Sequence, residues 1–101
     1  MDRRPELHER LCDILGSRNV YFQPPESVKL KYPAIVYSRS TIDNTHADNL
    51  PYLQKIEYMV TVIDKDPDSE IVQRMSQVPY CRHNRHYKAD NLNHDTFILY
   101  Y

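Results

Sequence analysis

The chain has 101 residues, 41% hydrophobic and 27% charged, and its thirteen basic and fourteen acidic side chains leave a net charge of −1. That length makes one domain with a thin core the default, and oligomerisation becomes a plausible extra source of stability. The composition excludes a disordered chain, and the charge balance lacks the basic excess of a free-standing polyanion binder.

Residues 5–15 predict a helix. Pro5 suits a first helical position, where its missing N–H costs nothing. Leu7, Leu11, Ile14 and Leu15 recur on one face. Gly16, the only glycine, follows the last of them, where a left-handed terminal turn is easiest. Asn19–Gln23 is a short strand that Pro24 and Pro25 end, since proline cannot donate to a ladder. Residues 24–32 read as a loop, and Pro33–Arg39 as a second strand, apolar on both faces near its middle. Residues 40–51 are a polar connection containing the tetrapeptide ADNL, which recurs at Ala89–Leu92. Asp and Asn bend a chain by bonding their own backbone, so both copies predict hairpin turns.

Tyr52–Asp64 is the clearest strand, with Ile56, Tyr58, Val60 and Val62 alternating against Glu57, Met59, Thr61 and Ile63. At ~3.3 Å per residue it would reach roughly 43 Å, about twice a usual strand. It is therefore expected to bend, bulge or project beyond the body. Asp66 is the expected N-cap of a second helix, with Pro67 at its first position and Ile71, Val72, Met75 and Val78 on one side. Pro79 ends that helix. Tyr80–Lys88 and His94–Tyr101 are the last two strands. The expected fold is therefore a two-layer α+β domain, ordered α-β-β-β-α-β-β. It has a mainly antiparallel sheet of four to five strands and two helices on one face.

Candidate chemistry is thin. Cys81, His83, His86 and His94 lie close in sequence, but a regular strand puts Cys81 and His83 on one face and His86 on the other, so no metal site is expected. A thiolate pair of Cys81 with His83 or His86 has no strained nucleophile turn to support it. Asp64, Asp66, Asp68 and Glu70 have the spacing of the start of a calcium loop, but Pro67 and the missing central glycine spoil it. Cys12 and Cys81 read as reduced thiols of a protein folded in a cytoplasm. No apolar run approaches a membrane span, and the start MDRRPELHER lacks a signal peptide's apolar core. The strongest polar signal is Arg82, Arg85 and Lys88, with Arg82 and Lys88 expected on one face and Arg85 on the other. Nine tyrosines suit half-buried sheet and interface positions.

The segments YPAIVYSR (Tyr32–Arg39), YLQKIEYMVTVIDKDPDS (Tyr52–Ser69) and YKADNLNHDTFILYY (Tyr87–Tyr101) resemble the small tail-terminator, or tail-to-head joining, proteins of long-tailed bacteriophages and prophages. The resemblance spans almost the whole chain. It implies a structural, non-enzymatic virion protein without cofactors, made in the host bacterial cytoplasm. It also implies a homo-oligomeric ring, six-fold in that family, that caps the tail tube and faces a head-closure connector. DNA would pass through the hole without sequence-specific binding. The candidate subunit-interface residues are Tyr52 and Tyr58, with Asp48 and Asn49 in the 40–51 connection. Arg82, Arg85 and Lys88 are candidates to face the DNA lumen or a partner. Two alternatives stand beside this reading: another phage neck or minor capsid connector component, or a small nucleic-acid-binding regulatory module using the basic strand 80–88.

Overall fold

The computed structural model describes residues 4–25, 27, 29–43 and 55–101. Its elements are α1 (Arg4–Leu15), β1 (Val20–Phe22), β2 (Ala34–Asp43), β3 (Lys55–Asp64), α2 (Glu70–Ser76), β4 (Cys81–Ala89) and β5 (Leu92–Tyr100). This is the expected α-β-β-β-α-β-β order and an α+β fold.

Leu7, Leu11, Cys12 and Leu15 form the buried stripe of α1. Gly16 closes the helix at φ 84°, a conformation that a Cβ would penalise, and its N–H reaches the Cys12 carbonyl at 2.8 Å. No basic residue lies in the last turn of α1. Arg74 of α2 supplies the cation instead, donating to the Ile14 carbonyl at 2.9 Å and tying the two helices together.

The five strands form one sheet in the order β1-β2-β3-β5-β4. Every pairing is antiparallel except β1 with β2, which is parallel over Val20–Phe22 and Ile35–Tyr37. Because β5 lies between β3 and β4 and opposes both, those two run parallel. The path β3–α2–β4 is thus a crossover with a strand inserted into it. Ile35, Tyr37, Tyr58, Val60, Val62, Phe97 and Leu99 share the face under the helices and form the core with the α1 stripe, Ile71 and Met75. Tyr37 is fully buried; its hydroxyl shares a 2.7 Å hydrogen bond with His8 Nδ1, so the polar tip is satisfied. Burial pushes the His8 imidazole below its ordinary pKa.

Three local expectations change. The N-cap of α2 is Ser69, whose hydroxyl accepts from Ile71 N–H at 3.2 Å, and not Asp66. The Asp64 and Asp66 carboxylates instead accept from the N–H groups of Asp66 and Asp68, at 3.1 and 2.9 Å, so two successive Asx turns prolong the loop. Pro67 therefore sits in a turn, and α2 is only seven residues long. Secondly, β2 runs on to Asp43, past the expected end at Arg39, because β3 pairs with it through Lys55 across an irregularity between Arg39 and Thr41. Thirdly, Tyr58 is a core residue at 2% exposure, its ring edge-on to Tyr37 with centroids 6.0 Å apart. The expected alternation of β3 holds, but its tyrosine is on the helix-covered side, which withdraws Tyr58 from any subunit interface. Residues 52–54, expected to extend β3, lie outside the described residues, as does the first ADNL.

Candidate functional site

The β4–β5 hairpin carries every basic residue singled out from the sequence. Its turn is the second ADNL. Ala89 pairs with Leu92, and Asp90 and Asn91 take φ values of 53° and 63°. Two successive positive φ values make the type I′ turn that matches the twist of a two-residue hairpin, and Asp and Asn tolerate it best after glycine.

The register of β4 against β5 shifts between His83 and Arg85, with Asn84 as the extra residue. This bulge alters the expected parity. Beyond it His86 returns to the face of Cys81 and His83, the side under the helices. Arg82 and Arg85 then share the opposite, outer face with Tyr87, and Lys88 joins the histidines. The expectation that Arg82 and Lys88 share a face is therefore overturned by one inserted residue. The Thr96 hydroxyl fills the gap in the ladder. It accepts from Arg85 N–H at 3.2 Å and from the Asn84 amide at 3.3 Å, and donates to the Arg85 carbonyl at 3.3 Å.

Beneath the bulge, Asp95 of β5 points to the helix side at 6% exposure. A buried carboxylate needs donors. His83 Nε2 and His86 Nδ1 supply them, both on Asp95 Oδ1, at 3.0 and 2.8 Å. The His83 ring also stands edge-on to Phe97, with centroids 5.2 Å apart. The His83 ring is thus oriented on two sides and the His86 ring by Asp95, and both remain partly open to solvent.

On the outer face Tyr87 and His94 stack at 4.8 Å with their planes 10° apart, and the Arg85 guanidinium lies 5.0 Å above the Tyr87 ring. His94 is thus across the sheet from His83 and His86. Among the described residues no group of three or more His, Cys, Asp or Glu is placed to hold a metal ion. Burial pushes the Cys81 thiol up to about 11, and His83 and His86 each bond Asp95. Elsewhere on the outer face, hydroxyls of Ser40 and Tyr100 donate to Glu57 at 2.7 and 2.8 Å. They hold its carboxyl below the ordinary range, and the charge of Arg82 adds to them. A shallow groove of about 330 Å³ separates the loop residues Pro24, Pro25 and Leu30 from Ile63, Tyr87 and His94.

Of the residues singled out, Arg82, Arg85 and Lys88 are exposed on one edge strand, Tyr58 is interior, and Asp48, Asn49 and Tyr52 lie outside the described residues. Asp95 and Thr96 were missed. A signal existed for Asp95, which shares its strand parity with Phe97 and Leu99 and so places a carboxylate in an otherwise apolar stripe. Among the described residues no helix is long and apolar enough to cross a membrane. Compared with family models and with curated proteins, the chain matches none.

Proposed function

We propose that this chain is a structural subunit of a phage neck, a tail terminator that closes into a ring on the tail tube and presents a surface to the head-closure connector. The observation that supports this reading is a single sheet whose two flanks are open among the described residues. On one flank β1 pairs only through Tyr37, and the Gln23 side chain covers Arg39 N–H at 3.1 Å, so among the described residues Ser40–Asp43 has no neighbouring strand on that side. On the other flank β4 is terminal over its whole length. Open edges at opposite sides of one sheet suit head-to-tail contacts, which close into a ring when each step is a rotation. In this reading the β2–β3 ribbon, with Asp48, Asn49 and Tyr52 in the segment joining its strands, lies against the next subunit. DNA passes through without sequence-specific contacts.

Light scattering and negative-stain microscopy of the purified chain, alone and mixed with assembled tail tubes, test the proposal. Rings with a central hole, or stoichiometric capping of tube ends, are expected. A monomer that also ignores tube ends overturns it. A second reading, a small nucleic-acid-binding module, draws on the bulge that brings Arg82 and Arg85 onto one face. It requires duplex binding by the isolated chain that weakens steeply with salt.

A further inference from the structure

We infer that the β4 edge is a docking strip for an extended, acidic segment of a partner protein, which joins the sheet as a sixth strand. The inference rests on the edge itself; it assigns β4 to a guest strand, so a ring must then close through the β2–β3 ribbon against another surface of the next subunit and not through β4. In an antiparallel pair every second residue turns its N–H and C=O away from its neighbour, and an extended guest chain matches that row of groups. β4 offers it over nine residues with no proline, interrupted once at the bulge; bulge and cations both guard an edge against indiscriminate pairing, so a guest must carry the opposite charge. The uninterrupted stretch Arg85–Ala89 beyond the bulge has the length of a usual strand.

Charge selects the guest. Residues 80–89 contain Arg82, Arg85, Lys88, His83 and His86 and no acid. The bulge distributes them to both faces: Arg82 and Arg85 outward, Lys88 with the two histidines on the helix side. Carboxylates on the outer face of a guest strand therefore meet Arg82 and Arg85, and on the helix side Lys88. Of the acids near this edge, Asp95 is bonded to His83 and His86, while Glu57 is bonded to Ser40 and Tyr100 and also meets the charge of Arg82, which leaves Arg85 and Lys88 as the main cations for a guest. A second copy pairing through the same edge would set Arg and Lys against Arg and Lys, and like charges directly opposite destabilise a ladder. The same charges thus reject a copy of the strand and admit an acidic one. The edge is also pre-ordered: Thr96 pins the bulge and Asp95 pins the imidazoles, so little freedom is lost on binding.

The test uses the isotope-labelled full chain and two synthetic peptides of about ten residues. Both share one Val/Thr-rich backbone; one carries Asp and Glu at alternate positions, the other Lys. Binding of the acidic peptide at least about tenfold more tightly is expected, with slowed amide exchange centred on 85–89. The R82E/R85E/K88E variant should reverse the preference. Equal binding of the two peptides, protection confined to the groove at Pro24 and His94, or undiminished binding of a backbone N-methylated acidic peptide would each overturn the inference. So would protection of β4 that rises with protein concentration without peptide, which would assign the edge to a second copy. A single-stranded oligonucleotide that outcompetes the acidic peptide on the same amides would assign it to nucleic acid, again against the proposal.

Discussion

The two strands of the last hairpin are both nine residues long and share a two-residue turn, yet β5 is largely buried and β4 mostly exposed. β5 lies between β3 and β4 and under the helices, so Asn93, Asp95, Phe97 and Leu99 are interior on one face and Thr96 on the other. On β4 only Cys81 packs partly against the core. Apolar burial therefore holds β5 in place, while β4 is held largely by polar groups that β5 keeps inside. The bulged strand owes its shape to Thr96 and its helix-side rings to Asp95. A hairpin can thus have one strand that stores the stability and another that displays the surface, with the buried strand's polar side chains setting the geometry of the displayed one.

The largest test of this contrast is Phe97→Ala. Removing a fully buried ring leaves a cavity beneath both strands and should cost about 3–5 kcal/mol in urea unfolding. Lys88→Ala, one pairing step from Asn93 but exposed, should change stability by less than about 0.5 kcal/mol. Losses of similar size would erase the distinction between the strands.

Asp95→Ala probes the link between them. It strands the imidazole N–H donors of His83 and His86 and should cost about 1–3 kcal/mol. Amide exchange should accelerate along β4 more than along β5, because only β4 loses its anchor. Asp95→Asn keeps an oxygen that can accept both bonds and should recover most of the protection. If Ala and Asn behave alike, the bonds to Oδ1 are not what positions the edge.

Tyr80→Gly addresses the entry to β4. Tyr80 precedes the strand at φ 61° with 68% of its surface exposed, and its carbonyl accepts from Tyr100 N–H at 3.0 Å. A bulky side chain in left-handed backbone is strained, whereas glycine is not, although glycine also frees the unfolded chain. A net gain of about 0.5 kcal/mol in the urea midpoint is expected. A loss would mean that the ring contributes more than the strain removes.

Element order and the core stripes were legible because period-2 and period-3.6 patterns are local. Tyr37, Val60, Phe97 and Leu99 each sit on the face their alternation dictates. The second ADNL was legible for the same reason: a left-handed pair needs Asp, Asn or Gly, and both residues are present. The faces of β4 were not. An inserted residue such as Asn84 leaves no mark in a run of polar side chains such as Arg82–Lys88, and its accommodation depends on Thr96 in another strand. The start of α2 was misread because Asp66 followed by Pro67 is a sound capping signal, and only the competing Asx turns reveal Ser69 as the cap. The role of Tyr58 was hidden in its chemistry, since a tyrosine suits an interface and a core equally and the edge contact with Tyr37 decides between them.

Cys81 gives the finest test, because it is where β4 still touches the core. Burial pushes its thiol from an ordinary 9.0 up to about 11. The folded chain therefore keeps a proton that the unfolded chain loses first. The stability this provides is complete below about pH 9 and disappears as the pH rises through about 11. Lysines and tyrosines titrate in the same window, so the difference between wild type and Cys81→Ala is the informative quantity, and it should shrink from pH 9 to 11. Alkylation gives a second readout. At pH 8 iodoacetamide should modify native Cys81 more slowly than the thiol of the urea-unfolded chain, since the thiolate is the nucleophile. Native labelling as fast as that of the unfolded chain would mean that β4 detaches from the core at its first residue, and the contrast with β5 would then extend along the entire strand.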